Sequence, residues 1–337
     1  MKWHGVLGHG NAIIYVPENG FFSLGNSPYR MHGEGNAADI YLGYRDFANP
    51  IAFSPVRGKV IFLKPVRTPK RYFSPSNNDY VLGILNENKD HVFRILHVQP
   101  SVKVGDTVDI GDEIGMLIRS GFFCRWTDPH IHIEVRKTNS RLDVAQGGLK
   151  LNLITNNQFK THDNKKINID HQDTIVIDGA VKYIRDEYFL IALDNEYICK
   201  NGILFGFKSE IATNGEVRRE GILDAGVPYY PHGCIIGISS ENASAGDHIV
   251  IGNLPVGTIR KINNYYAIFK TKLIVSKLSI EENGKRTNYK IKGISASIHL
   301  KRENFSLKIV YDSLEKKPNL QKGMRVTIKL NQIMNNK

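Results

Sequence analysis

Period two, with almost no longer period beside it, is the feature that most constrains this chain. Short runs rich in Val, Ile, Tyr and Phe alternate apolar with polar residues and are punctuated by Gly, Asn, Asp and Pro. That is the pattern of half-buried strands joined by turns, whereas the 3.6-residue spacing of amphipathic helices is scarce. The fold class expected is mainly β: an N-terminal antiparallel-sheet domain followed by one or two antiparallel β-modules. One series of strands is expected over residues 50–64, 91–98, 101–118 and 130–137, with tight turns at Gly105-Asp106 and Gly111-Asp112.

Length sets the scale of the organisation. At ~150 residues per domain, 337 residues make about two domains or three. A composition of 41% hydrophobic and 23% charged residues is ordinary for a globular chain and excludes disordered and collagen-like classes. The Asn- and Lys-rich stretch Asn152 to Asn168 reads as a linker, and strand-like runs resume near Thr174. The formal net charge of +12 divides into +4 over residues 1–150, −5 over 151–250 and +13 over 251–337. This shift places a second boundary near 253, so the expected domains are 1–150, a β-rich module 151–252 and a basic β-rich module 253–337.

Lys285, Arg286, Lys301, Arg302, Lys316, Lys317, Lys322 and Arg325 of the last module suit an anionic polymer, or equally a solvated strand face whose lysines block edge pairing. No RNA-binding aromatic signature or Cys/His finger accompanies them, so there is no nucleic-acid signal. No apolar run reaches the ~20 residues of a membrane span. Met1-Lys2-Trp3-His4-Gly5 lacks the apolar core of a signal peptide. The expected location is therefore cytoplasmic, with non-classical export as the alternative. Cys124, Cys199 and Cys234 are odd in number and far apart, which suits buried apolar thiols rather than disulfides or a zinc knuckle.

The chemistry-bearing residues are histidines. In His130-Ile131-His132-Ile133-Glu134-Val135, alternation sets His130, His132 and Glu134 on one face of a strand and the apolar residues on the other. The same alternation makes His97, after Phe93-Arg94-Ile95-Leu96, a candidate to project from a neighbouring strand. His32 precedes the run Ala37 to Leu42, which carries Asp39. Imidazoles and a carboxylate suit Zn²⁺, and three protein ligands would leave one position for water. With 12 histidines, about 0.4 H-x-H occurrences arise by chance, so order and strand context carry the signal rather than the motif alone.

That order resembles the lysostaphin/LytM-type zinc metallopeptidases, a family with the duplicated hybrid motif fold. The matching segments are Pro55-Val56-Arg57-Gly58-Lys59-Val60, then Ile95-Leu96-His97, then a V-x-x-G-D-x-V-x-x-G-D-x-I-G hairpin from Val102 to Gly115, and finally Pro129 to Glu134. The resemblance covers about residues 25–140. It implies a zinc endopeptidase acting on a cell-wall-type peptide cross-link or another peptidoglycan-like substrate. His32, Asp39 and His132 would bind the metal, and His97 and His130 would form the catalytic pair; Glu134, on the same strand face, is either a partner that orients His132 or a surface charge at the strand end. The family places its first His four positions before the Asp; here that position is Gly35, and His32 stands seven before.

Of three other readings, the first fails and two stay open. Biotinyl and lipoyl carriers share the hairpin motif, but no Lys lies between Gly105 and Gly121 for attachment. A phosphoryl carrier would use His97 and His130 and leave Asp39 and His132 without a role. A catalytically silent relative would bind a peptide or protein and regulate it. In the C-terminal half, His171-Gln172-Asp173 and Pro228-Tyr229-Tyr230-Pro231-His232-Gly233 are the polar clusters that stand out, the second reading as a groove-lining loop or a rigid turn.

Overall fold

The computed structural model describes residues 1–45, 47–48, 50–74, 76–154, 165–166, 174–272, 274–282, 285–312 and 317–332. The chain is mainly β and divides into two compact units, Met1–Leu24 with Tyr29–Thr155, and Gly25–Pro28 with Asn156–Lys337.

The strands of the first unit are β1 (Trp3–His9), β2 (Ala12–Pro17), β3 (Phe21–Ser23), β4 (Ala38–Tyr41), β5 (Ile51–Phe53), β6 (Gly58–Arg67), β7 (Asn78–Leu85), β8 (His91–Leu96), β9 (Val98–Pro100), β10 (Thr107–Val108), β11 (Glu113–Leu117), β12 (Ile131–Lys137) and β13 (Asn152–Leu153). A short helix, α1 (Arg30–Glu34), lies between β3 and β4. The main sheet is antiparallel throughout in the order β3-β4-β12-β8-β7-β6-β10. Smaller antiparallel sheets run β5-β11-β9 and β13-β1-β2.

Particular residues explain this layout. Val6, Ile14, Ile40, Val60, Ile84, Ile95, Ile131 and Ile133 are fully buried, so alternation aims one face of each strand at the core. The repeated G-D turns before β10 and β11 use one device twice. The Asp106 carboxylate accepts the Lys103 N–H at 2.8 Å, and the Asp112 carboxylate accepts the Asp109 N–H at 2.7 Å. The glycine of the P-V-x-G segment is required by a close approach. A Cβ on Gly58, whose φ is +152°, would lie 2.0 Å from the Leu85 carbonyl oxygen across the β6–β7 pair.

Among its described residues the second unit forms two closed antiparallel rings. One runs 175–184, 188–193, 307–311, 285–296, 274–282, 325–332 and back to 175–184. The other runs 204–213, 216–227, 232–236, 266–271, 254–263, 248–251 and back to 204–213. Closure leaves neither ring an edge strand to template aggregation. Both line one apolar cluster, with Phe189, Ile309 and Ile328 from the first ring and Phe207, Ile235 and Phe269 from the second.

The two rings nest rather than follow one another, because the second lies between strands 188–193 and 274–282 of the first. The expected division at 253 falls in the turn between the paired strands 248–251 and 254–263. A charge shift marks a change of surface, and here the surface changes where the core does not.

Arg302, Lys317, Lys322 and Arg325 are exposed, Arg325 pairing with Asp194 at 3.2 Å and Lys317 with Asp186 at 3.6 Å. Lys316, the side chains of Lys285 and Arg286, and residues 171–173 lie outside what is described. Tyr230 is buried and its carbonyl accepts the Thr271 hydroxyl, so Pro228–Gly233 is a packed turn. Cys199 and Cys234 are buried and Cys124 is half-buried, all as free thiols. Among the described residues no helix is long and apolar enough to cross a membrane.

Candidate metal and catalytic centre

Register brings the centre together. In the β4–β12 pair His132 lies directly across from Asp39, and in the β12–β8 pair it lies across from Leu96, the residue before His97. His130 enters just before β12. His32 arrives from α1, which ends at Gly35 in the left-handed conformation (φ +76°), with the Asn36 N–H donating to the Met31 carbonyl at 2.9 Å. The extra residues between His32 and Asp39 are taken up as a helical turn, and the imidazole comes back to the aspartate.

The Nε2 of His32, the Nδ1 of His132 and Oδ1 of Asp39 form a triangle with sides of 3.2, 3.0 and 3.3 Å. Donors around tetrahedral zinc at ~2.0–2.1 Å stand about 3.3 Å apart, so the triangle has the right size. Outer partners fix both tautomers. His32 Nδ1–H donates to the Leu24 carbonyl at 2.9 Å, and His132 Nε2–H donates to Glu134 Oε1 at 3.2 Å. Two imidazole lone pairs and a carboxylate oxygen therefore converge on one point, an arrangement that stabilises a positive charge.

The electrostatics favour positive charge here too, in the form of a proton on His132 that a metal ion would displace. Burial pushes the His132 imidazole down, but hydrogen bonds and charge from Asp39 and Glu134 outweigh it and lift its pKa to about 9. Burial raises Asp39, but the charges of His32 and His130 and hydrogen bonds from His132 and His32 hold it well below the usual range.

The other two histidines are held differently. His130 donates Nδ1–H to the Asp128 carbonyl at 2.9 Å and turns Nε2 towards Asp39 Oδ1 at 3.5 Å. Burial drives its pKa down to about 4, with Asp39 opposing and His97 and His132 assisting, so the ring is neutral near pH 7. His97 sits at φ +70°, a conformation rare for a residue with a side chain. Asp79 holds it there by two bonds, Oδ1 accepting the His97 backbone N–H at 2.8 Å and Oδ2 accepting Nδ1–H at 2.6 Å. Oδ2 also accepts the Ser120 hydroxyl at 2.6 Å. The rings of His97 and His130 lie 5.0 Å apart, centroid to centroid.

Asp79 is the residue that sequence reasoning missed. It lies on β7, 18 positions before His97, and only the β7–β8 hairpin brings them together. Glu134 stands behind His132 as expected, but the two arginines that hold it were not foreseen. Glu134 is buried and takes Arg94 Nη1 on Oε1 at 2.8 Å and Arg136 Nη2 on Oε2 at 2.6 Å.

These carboxylates make an acid-stability prediction. Burial raises Asp79, but the His97 charge and hydrogen bonds from His97, Ser120 and the Tyr80 N–H bring it from 3.8 to about 2. Burial likewise raises Glu134, but His132 and the two arginines bring it from 4.5 to about 2. A carboxyl whose pKa is lower folded than unfolded adds stability above its unfolded pKa, and that stability drains as pH falls through the folded one. Unfolding free energy of the first unit should fall steadily from about pH 4.5 to pH 2. Trp3 and Trp126 both lie in that unit, so tryptophan fluorescence reads it selectively. A flat response over that range would contradict the prediction.

A family model described as the N-terminal domain of a domain of unknown function (DUF8155) matches residues 14–153. No curated protein matches the chain. Among solved structures, the NMR solution structure of lysostaphin matches at 14% identity and a TM-score of 0.24, covering 80% of this chain and 93% of that one. A structure of the antimicrobial peptidase lysostaphin from Staphylococcus simulans matches at 13% identity and a TM-score of 0.24, covering 82% and 95%. These likenesses are faint, and the chemistry of the centre rests on its own side chains.

Proposed function

We propose that the first unit is a zinc-dependent endopeptidase that cleaves a peptide bond, of the kind found in cell-wall peptide cross-links, with His32, Asp39 and His132 as metal ligands. The observation that carries this is the triangle of donor atoms, its two imidazoles fixed from behind by hydrogen bonds, spaced as tetrahedral zinc requires. Bound there, zinc would supply a Lewis acid that acidifies water and polarises a carbonyl oxygen.

The protein's own groups supply the proton transfers. His97 is the general base: its Nδ1–H is committed to Asp79, so Nε2 presents a lone pair, and the buried carboxylate stabilises the imidazolium formed when a proton is taken from water. The protonated Nε2 then delivers that proton to the leaving amine. His130, kept neutral, offers Nε2 as an acceptor that orients the attacking water. Asp79 positions His97 and does not meet substrate.

The test is hydrolysis of synthetic peptides, oligoglycine among them, by the full chain loaded with zinc, after chelation and after zinc is restored. Cleavage should disappear and return with the metal. Asp79→Asn should keep the zinc, lower kcat by about 10²–10⁴-fold with KM little changed, and shift the acidic limb of the pH–rate profile to lower pH. Bound zinc with no hydrolysis of any peptide would favour a silent binding or regulatory protein instead.

A further inference from the structure

We propose that a wall beside the centre recognises acidic side chains of the substrate, so that this site prefers peptides carrying carboxylates next to the bond it cuts. The inference rests on the peptidase reading and adds the substrate's chemistry to it.

Two stretches build the wall. Residues 65–78 contain Arg67, Lys70 and Arg71, and residues 118–127 contain Arg119 and Arg125; neither stretch has an Asp or Glu. They are fastened together. Ser76 and Ser120 form a bridge, Ser74 donates its hydroxyl to the Arg119 carbonyl at 2.9 Å, and the Gly121 N–H donates to Thr68 Oγ1 at 3.2 Å.

Two of the arginines are seated on aromatic rings. The Arg119 guanidinium lies 4.9 Å from the Phe73 ring centre, and that of Arg125 lies 5.5 Å from Tyr72, itself 83% exposed. Arg71 is near enough for its charge to act on the Tyr29 phenol, whose pKa burial raises to about 12. The Tyr29 hydroxyl in turn donates to the Phe122 carbonyl.

The wall reaches the catalytic pair. The Phe122 ring lies 6.3 Å from His97, and Phe123 lies 4.6 Å from His97 and 4.8 Å from His130. Ser120, within the same stretch, bonds Asp79. Arg119 Nη2 also donates to the Arg125 carbonyl at 2.6 Å, and positive charges fixed in place over aromatic rings attract carboxylates and repel lysines. A peptide bond placed between His97 and His130 would carry its flanking side chains along this surface.

The experiment measures binding of dye-labelled oligoglycine, and of the same peptide with glutamates or lysines substituted, by fluorescence anisotropy. It uses the full chain with chelator present, so that nothing is cleaved. The glutamate peptide should bind about tenfold more tightly than the lysine peptide at low salt, and the gap should narrow as salt rises. Arg71→Gln with Arg125→Gln should abolish the preference, and Tyr72→Ala, which removes the ring under Arg125, should reduce it, each variant first shown to keep the parental melting temperature.

Equal binding of the three peptides overturns the wall, whatever the zinc-loaded protein cleaves. Polyphosphate binding as tightly as the glutamate peptide overturns it too, because the surface is then a general polyanion site. A glutamate preference in a chain that cleaves nothing with zinc leaves the wall standing and removes the peptidase reading.

Discussion

His132→Ala is expected to strip zinc from the protein and abolish turnover, whereas His130→Ala keeps the zinc and loses turnover alone. The two residues are neighbours but one on an alternating strand, so any general damage to β12 would affect both. Their partners differ. His132 closes the donor triangle with His32 and Asp39, and two donors hold zinc far more weakly than three. Asp39→Ala and His32→Ala should behave like His132→Ala.

His97→Ala should follow His130→Ala, with about one zinc per chain retained and turnover lower by about 10²–10⁴-fold. Elemental analysis of protein purified without added metal or an affinity tag reads the metal, and peptide hydrolysis reads the turnover. The same zinc content in all the variants would sink the division of roles.

Arg136→Leu should be the most destabilising single change in the first unit, at about 3–5 kcal/mol. The Arg136 side chain is fully buried and bonds on every side. Nε and Nη2 donate to Glu134 Oε2 at 2.8 and 2.6 Å, Nη1 to the Arg141 carbonyl at 2.7 Å, and Nη2 to the Val144 carbonyl at 2.9 Å. Its loss leaves a buried carboxylate short of one partner and takes this donor from the carbonyls of Arg141, Val144 and Ala145. Arg94 still holds Glu134 Oε1, so the damage falls on stability before it falls on the metal. Urea titration followed by tryptophan fluorescence measures the loss. A change below about 1 kcal/mol would place Arg136 with ordinary surface ion pairs instead.

Much of the centre was legible in the sequence because it follows the simplest periodicity. The H-x-H strand sets its two histidines on one face, and one register, His132 across from Asp39, makes them neighbours. Asp79 was not legible, since its tie to His97 depends on how a hairpin pairs and on a left-handed residue at its end. The seven-residue interval from His32 to Asp39 was readable as an irregularity, but the helical turn that absorbs it was not, because five residues carry too little periodicity to announce a helix. The strands of the C-terminal half were evident in kind. Their nesting was hidden, because which strand closes a ring is decided by partners more than a hundred residues away, such as Ile175 and Leu330.

That nesting sets an order of events in time. The inner ring, residues 204–271, can close from consecutive segments as soon as they leave the ribosome. The outer ring cannot. Its first strand waits for residues 325–332, about 150 positions later in the chain, and until they arrive strand 175–184 lacks one neighbour and its row of unpaired amides is open to other chains. A shortened product ending before 325 should therefore aggregate rather than fold, and the vulnerable interval of biosynthesis lasts from the emergence of strand 175–184 to that of strand 325–332.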